Sequence, residues 1–268
     1  MPGRLPLLLM TAFSELVSGV WRYDAPGAPE RAGAEGADAH LAPNAIVIVG
    51  TDGWLLVDVP ADPAVVAALL RDNPAGERPC LGLIATSGSR LAPEALAEVR
   101  RSLPAVPIYL HESAQAEGLD GGTPGLGGVH RFSSVQVFDL GERRVEAIHP
   151  GRAGTSDAVV VNLPGDGVLL LGDLLPGGAP GSGFVGDSAD GPSRFTHDVG
   201  GFPTDWPTTL DLVLTLTTPT TLILPGHGLP ITRVEVEDAR DSMVIAGPEF
   251  GGGSGGPPIG DRLQLPLV

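Results

Sequence analysis

Polar side chains with catalytic chemistry follow several short apolar runs of this chain. Ser87 and Ser89 come after one such run, Asp173 comes after a second, and His227 comes after a third. These residue types can support proton transfer or nucleophilic attack, because a carboxylate fixes the tautomer of an imidazole and raises its basicity. Neither serine lies in a G-x-S-x-G elbow, so a plain loop of small residues is the simpler interpretation of both serines.

Composition excludes several classes of function. The 268 residues include 16 basic residues, all of them arginine, and 32 acidic residues, which gives a formal charge of −16. Such a charge argues against a nucleic-acid-binding face and against attachment to an anionic membrane. A single cysteine allows neither an internal disulfide nor a Cys-rich metal cluster. No apolar run reaches the roughly 18–20 residues of a membrane helix.

These exclusions favour a cytoplasmic protein that acts on a small molecule, and they leave a homodimer or a protein partner open. The apolar stretch Leu5–Phe13 is interpreted as the first strand or as a leader to it. A secretory signal is the less favoured alternative, because no small-x-small cleavage site is evident and an acidic residue follows at once.

The elements that must position the polar residues alternate between short strands and helices. An Asp-Gly turn at 51–53 separates two apolar runs and predicts a hairpin. The predicted strands are Ala45–Gly50, Trp54–Val59, Leu81–Thr86, Val106–Leu110, Val129–Phe132, Val135–Phe138, Val145–His149, Ala158–Leu163, Gly167–Leu171 and Thr221–Leu224. The predicted helices are Ala61–Asn73, Leu91–Leu103, Trp206–Leu216 and Val234–Ile245.

This order predicts an α/β protein in which two mixed sheets pack face to face with helices outside, an αββα sandwich. One domain over residues 1–246 is expected, with loops at 24–40 and 176–203. The residues from 247 to 268 are predicted to form a Gly- and Pro-rich tail with too few apolar groups to fold.

An ordered set of motifs resembles the metallo-β-lactamase fold superfamily, in particular its small-substrate hydrolases. The resemblance runs from about residue 19 to residue 230. The run AIVIVGTDGWLLVDV is similar to the opening hairpin, with Asp58 at the usual aspartate. IATSGSRLA stands in the place of T-H-x-H-x-D-H, and HPGRAGT in the place of PG-x-A-H-T. LLLGDLL and TLILPGHG are similar to the last two motifs.

The resemblance implies a site with two zinc ions, held by five histidines and two aspartates, that activates a bridging water. By the motif positions, Asp173 and His227 are the two ligands that remain. The other five ligand positions hold residues with no imidazole or carboxylate: Ser87, Ser89, Leu91, Ala92 and Gly154. Because zinc needs converging imidazole, thiolate or carboxylate ligands, the motif is degenerate and no cofactor is expected.

Other residues near these motifs could serve the cleft. A rebuilt mononuclear zinc site from Asp173, His227 and His149 is a less favoured alternative. The residues expected to line a ligand-binding cleft are Asp58, Arg90, His149, Arg152, Thr155 and Asp157. Either arginine could neutralise leftover carboxylates or bind an anionic ligand with both arms of its guanidinium.

Three functional hypotheses follow from the resemblance and its departures. The first is a metal-independent protein, which is either a repurposed enzyme or a pseudoenzyme that binds a ligand. The repurposed enzyme would use acid/base chemistry on a small organic substrate, and its catalytic candidates are Asp173, His227, Ser87 and Ser89. The second is a non-catalytic partner-binding or regulatory subunit. The third is a hydrolase of an ester, lactone or thioester that uses the rebuilt metal site.

Overall fold

The computed structural model of the protein describes residues 12–24, 44–115, 128–175 and 201–246. The predicted tail at 247–268 lies outside these residues, as does most of the loops at 24–40 and 176–203 and of the stretch Leu5–Phe13. No helix within the described ranges has the length and apolar character needed to cross a bilayer.

In the described part of the chain, twelve strands form two sheets. The first sheet holds, in spatial order, β1 (Phe13–Val17), β2 (Val20–Tyr23), β3 (Ile46–Val49), β4 (Trp54–Val57), β5 (Cys80–Ile84), β6 (Ile108–His111) and β7 (Val129–Phe132). The second sheet has the order β12-β11-β10-β9-β8 and holds β8 (Val135–Asp139), β9 (Arg144–Ile148), β10 (Val160–Leu163), β11 (Val168–Gly172) and β12 (Leu222–Pro225).

The described helices are α1 (Pro63–Asp72), α2 (Pro93–Ser102), α3 (Trp206–Thr215) and α4 (Arg233–Ala246). The start of α1 follows from its sequence. The carboxylate of Asp62 accepts hydrogen bonds from the backbone N–H groups of Ala64 and Val65, and a proline occupies the first helical turn, where its missing N–H costs nothing.

The apolar residues divide into three clusters that define four layers. Helices α1 and α2 pack on the outer face of the first sheet. The inner faces of the two sheets bury a second cluster, which includes Ile48 and Leu55 from one sheet and Val161 and Leu170 from the other. Helices α3 and α4 cover the second sheet. The predicted αββα sandwich is therefore confirmed.

The first described strand is β1, at Phe13–Val17, which forms a hairpin with β2. Residues 5–11 lie outside the described ranges, so the interpretation of Leu5–Phe13 as the first strand or a leader to it stays a prediction. The turn of this hairpin depends on Gly19, which has a φ of 75°, a conformation that glycine adopts without a steric penalty. Helix α2 begins at Pro93, because residues 88–90 form a separate 3₁₀ turn ahead of it.

Strand direction brings the polar residues to one edge of the sandwich. Strands β4 to β7 run parallel to one another, and β9, β11 and β12 share one direction in the second sheet. The two sheets are joined at this edge by hydrogen bonds from Val159 N–H to the Thr86 carbonyl and from Asn44 N–H to the Gly226 carbonyl. The segments that follow β4, β5, β11 and β12 therefore line a common site.

Candidate functional site

Asp58 lies at the bottom of this site, directly after β4. Its side chain is buried, and its carboxylate accepts hydrogen bonds from Thr86 N–H at 2.8 Å and from Thr86 Oγ1 at 2.6 Å. Its φ of 54° is uncommon for a residue other than glycine, although aspartate tolerates it better than most. Burial raises the pKa of Asp58 to about 6, an effect that Arg90 and the two Thr86 hydrogen bonds oppose. The fold thus holds a carboxylate where its charged form is costly.

The side chain of Arg90 supplies the nearest positive charge. Its guanidinium lies between two carboxylates, with Nη2 2.5 Å from Asp173 Oδ1 and Nε 3.7 Å from Asp58 Oδ2. The residue is 7% exposed, and its Nε makes no hydrogen bond within the described part of the chain. Arg90 is therefore a buried counter-ion, and its charge is occupied by two acidic neighbours rather than open to an anionic ligand.

Asp173 and His227 form the exposed rim of the site. The distance from His227 Nε2 to Asp173 Oδ1 is 3.6 Å, slightly longer than a hydrogen bond, and the side chains are 40% and 36% exposed. Asp173 follows β11 and His227 follows β12, two parallel neighbouring strands, which explains why residues far apart in sequence meet here. These two side chains are catalytic candidates that solvent and ligands can reach, and Ser89 is exposed as well.

Ser87 and Ser89 lie in the segment after β5. Their hydroxyl oxygens are 2.6 Å apart, and Ser87 is 2% exposed. Asp157 fixes this segment from the other sheet, since its carboxylate accepts a hydrogen bond from Gly88 N–H at 2.6 Å. The structure therefore places Ser87 in a braced, buried loop, an environment that does not favour the nucleophilic role considered for it.

His149 follows β9 and serves the structure of its own loop. Its Nδ1 donates to the Ala158 carbonyl at 2.8 Å, which leaves the lone pair of a neutral ring on Nε2. Its ring stacks on His111 with centroids 3.8 Å apart. Ser113 N–H donates to His111 Nδ1, so Nε2–H of that ring donates to the Ser133 carbonyl. Burial, followed by the neighbouring His149, lowers the pKa of His111.

Arg152 and Thr155 also belong to the loop after β9, and neither points to a ligand role. Arg152 Nη2 lies 2.5 Å from Asp205 Oδ2, and its guanidinium sits over the ring of Phe202 at 4.5 Å. The Thr155 carbonyl accepts a hydrogen bond from Ala153 N–H. Arg152 thus links its loop to the residues that precede α3.

Two glycines allow the backbone to close around Arg90 and Thr86. Gly172 has a φ of 56°, and a Cβ there would lie 2.5 Å from Thr86 Cβ. A Cβ at Gly226 would collide with Arg90 Nη2. A cavity of about 10 Å³ remains between the two sheets; Asp58 and Asn44 are among its lining residues. This volume is close to the minimum for one water molecule, so the bottom of the site is packed and a larger ligand must bind at the rim.

Zinc is the metal that the resemblance implies, and the side chains of the described residues do not form a ligand set for it. Within the described ranges, no group of three or more His, Cys, Asp or Glu side chains is arranged to hold a metal ion, so Asp173, His227 and His149 do not form one. Leu91 is buried in the core, and a Cβ at Gly154 would lie 3.4 Å from the Trp206 ring.

Sequence reasoning missed two residues that shape this site. Thr86 holds both oxygens of Asp58, and it stands in the same motif as the serines, so its place was visible in the sequence. Asn44 Nδ2 donates to the Pro225 carbonyl at 2.7 Å and to the Gly228 carbonyl at 3.0 Å, which ties down the segment around His227. No local signal in the sequence could have found these long-range bonds.

The chain has the metallo-β-lactamase fold. A similar solved structure is a metallo-β-lactamase from Pontibacter korlensis, with 17% sequence identity and a TM-score of 0.63 over 87% of this chain and 98% of that one. The DIM-1 metallo-β-lactamase has 14% identity and a TM-score of 0.64 over 87% of this chain and 97% of its own. A metallo-β-lactamase from Hirschia baltica has 16% identity and a TM-score of 0.61 over 86% of this chain and 96% of its own. At these identities the comparison confirms the motif-based resemblance at the level of the fold. No protein-family model and no curated protein sequence matches the chain.

Proposed function

We propose that this protein uses the metallo-β-lactamase fold without zinc and binds a small organic molecule at the rim formed by Asp173 and His227. His227 then accepts or donates a proton at its imidazole. The observation that carries the proposal is the buried Arg90 guanidinium between Asp58 and Asp173. A fixed cation already neutralises one of the two inherited ligand groups, and three of the five missing ligand positions hold Leu91, Ala92 and Gly154, whose side chains cannot bind metal.

The charges around the rim favour a neutral or cationic ligand. One guanidinium faces two carboxylates, Asp58 and Asp173, and the nearby Asp157 is a third acidic group. An anionic ligand would have to displace Asp173 from Arg90 or add to this negative charge. The anion-binding role considered for Arg90 and Arg152 is therefore less favoured, since each already has an acidic partner.

Proton transfer is the chemistry that fits the exposed groups. Among the four catalytic candidates, His227 carries the imidazole, the side chain best suited to general acid/base catalysis, and Asp173 lies close enough to orient it. Asp173 in turn is held by Arg90. This arrangement supports an elimination, cyclisation or isomerisation better than an attack by water.

Metal analysis of the purified full-length chain tests the first half of the proposal. We expect far less than one zinc, iron or manganese per chain, and an unfolding temperature that neither EDTA nor added zinc changes. One or two tightly bound ions per chain, lost in His227→Ala, would instead favour the hydrolase with a rebuilt site.

A fragment library scored separately for neutral, cationic and anionic members tests the second half. Binding by thermal shift should be enriched among neutral and cationic fragments and weakened in His227→Gln, while Arg152→Met serves as a control outside the rim. If a bound compound is converted by the wild type and not by His227→Gln, the site is catalytic; if it is bound unchanged, the protein is a ligand-binding pseudoenzyme. Enrichment of anionic fragments would contradict the proposed ligand class.

A further inference from the structure

Among the described strands, β8 is the last of the second sheet and is hydrogen-bonded on one side to β9. Two hydrogen bonds at the ends of β8 show which residues direct their backbone groups to β9. They run from His149 N–H to the Ser134 carbonyl and from Leu140 N–H to the Arg143 carbonyl. In an antiparallel ladder the backbone groups of alternate residues point to opposite sides of the strand. The even-numbered residues of this segment therefore bond to β9, and the odd-numbered residues direct their N–H and carbonyl groups to the open edge.

The same odd-numbered residues expose apolar side chains. Val135 is 51% exposed and Val137 is 42% exposed, and both lie on the outer face of the sheet, away from the inward-facing Phe138. The carbonyl of Val137 accepts one hydrogen bond from the Gln136 side chain and retains a second lone pair. Unpaired strand backbone and exposed valine side chains thus occur together at one edge.

The other sheet edges carry features that discourage pairing with another chain. Strand β1 has an irregular register after Glu15, and β12 is covered by a bridge between Ile223 and Ile231. Strand β7 exposes the charged Arg131. Bulges, covering segments and charged side chains are the usual protections of edge strands. Strand β8 pairs with β9 in a regular register, and its one charged residue, the exposed Asp139, lies at the last position of the strand, beyond the two valines.

We propose that β8 pairs antiparallel with β8 of a second copy of this chain, around a two-fold axis at Val137. Such an axis places Val137 opposite its own copy and Val135 opposite Asp139, so every free backbone group of the edge meets a complementary group. No carboxylate then faces a carboxylate directly across the interface, as it would if the axis passed through Asp139. A two-fold contact needs a strand that is complementary to itself, and β8 meets this requirement.

Disulfide trapping tests both the partner and the register. In a hydrogen-bonded antiparallel pair the facing Cα atoms are about 5.5 Å apart, within the range that a disulfide spans. Val137→Cys should therefore form a covalent dimer under mild oxidation. Val234→Cys, on α4 and 60% exposed, is the control for random collision, and Val137→Cys should exceed it by about tenfold because pairing raises the local thiol concentration. The native Cys80 is a poor competitor, since burial raises its pKa to about 12.

Sedimentation of the wild type over a concentration series measures the dimer without cross-linking. Added salt should strengthen it, because each copy carries a net charge of −16 and salt screens their repulsion. Val137→Lys should abolish the dimer, and Val234→Lys, which adds the same charge elsewhere, should not. A wild type that stays monomeric, equal trapping at 137 and 234, or a complex that forms only with another protein would each overturn the proposal. These outcomes are independent of the metal and ligand tests of the cleft.

Discussion

Removal of the Arg90 guanidinium should destabilise the folded chain, and the loss should depend on pH. The substitution Arg90→Met keeps an apolar side chain of similar length and deletes the cation. Asp58 would then be a carboxylate that is 2% exposed, with its Thr86 hydrogen bonds and no buried positive charge nearby. An unpaired charge in such a place is costly.

The size of the effect follows from the geometry of the pair. Breaking a buried ion pair by removing one partner costs about 3–5 kcal/mol. The low end applies here, because Arg90 Nε is 3.7 Å from Asp58 and the second partner, Asp173, is 36% exposed and partly screened. A loss of about 3 kcal/mol lowers Tm by about 6–12 °C in a domain of roughly 150–250 residues.

The sign of the pH dependence follows from the pKa of Asp58. Burial raises this pKa from its usual value of 3.8 to about 6 in the folded chain, so the contribution of this carboxyl to stability is fully present below about pH 4 and is lost as the pH rises through 6. Arg90 opposes that loss by favouring the charged form. The difference in unfolding free energy between wild type and Arg90→Met should therefore be small at pH 5 and large at pH 7.5.

The assay is thermal and urea unfolding at the two pH values, followed by circular dichroism. Arg152→Met is the matched control, since its ion pair with Asp205 is about half exposed, and it should cost no more than about 1 kcal/mol at either pH. The double variant Asp58→Asn/Arg90→Met should recover part of the stability, because it removes the unpaired charge. An Arg90→Met loss that matches Arg152→Met, or that is equal at both pH values, would refute the reasoning.

Three further predictions concern the backbone, the braced loop and the metal. Gly172→Ala should destabilise the chain by more than Gly167→Ala, because both positions have a positive φ but a Cβ at Gly172 meets Thr86, whereas nothing lies within 4 Å at Gly167; urea unfolding of both variants measures the difference. Asp157→Ala should cost about 1–3 kcal/mol by leaving Gly88 N–H without its acceptor, with faster amide exchange at that residue. If zinc bound the folded chain, a zinc concentration a hundred times its Kd would raise the unfolding free energy by about 2.7 kcal/mol. We expect no such binding, so the wild-type Tm should stay unchanged on zinc addition or EDTA treatment.

Much of the fold could be predicted from local sequence patterns. The Asp-Gly turn at 51–53 lies between two apolar runs, and these runs form the paired strands β3 and β4. The helix predicted at Ala61–Asn73 is α1, because its N-terminal Asp and Pro act over a few neighbouring residues. Short apolar runs bounded by turn residues were sufficient for the strands of the second sheet as well. Such signals depend on neighbours in the chain, which the sequence displays directly.

The arrangement of the candidate site could be predicted only in part. The motif order indicated which segments reach the site, and Arg90 was considered as a partner for Asp58 and Asp173. Its burial was not predictable, because Arg90 and Asp173 are 83 residues apart and the approach depends on the absence of a Cβ at Gly226. The bonds of Asn44 to the segment around His227 have the same long-range origin. The hairpin of β1 and β2 was missed because Gly19 gave a weak turn signal.

The proposal that Arg90 is the cation of this cleft limits the chemistry that can occur there. A guanidinium neutralises carboxylates and orients them, but it stays protonated and has no vacant coordination position. Zinc, by contrast, lowers the pKa of a bound water to about 7 and so makes a nucleophile at neutral pH. With Arg90 between Asp58 and Asp173, the proposed zinc-free site has a fixed cation beside its two carboxylates but no metal to activate water. In the proposed function His227 is the group that moves a proton at the exposed rim, and we expect this cleft to convert a substrate that needs only that proton.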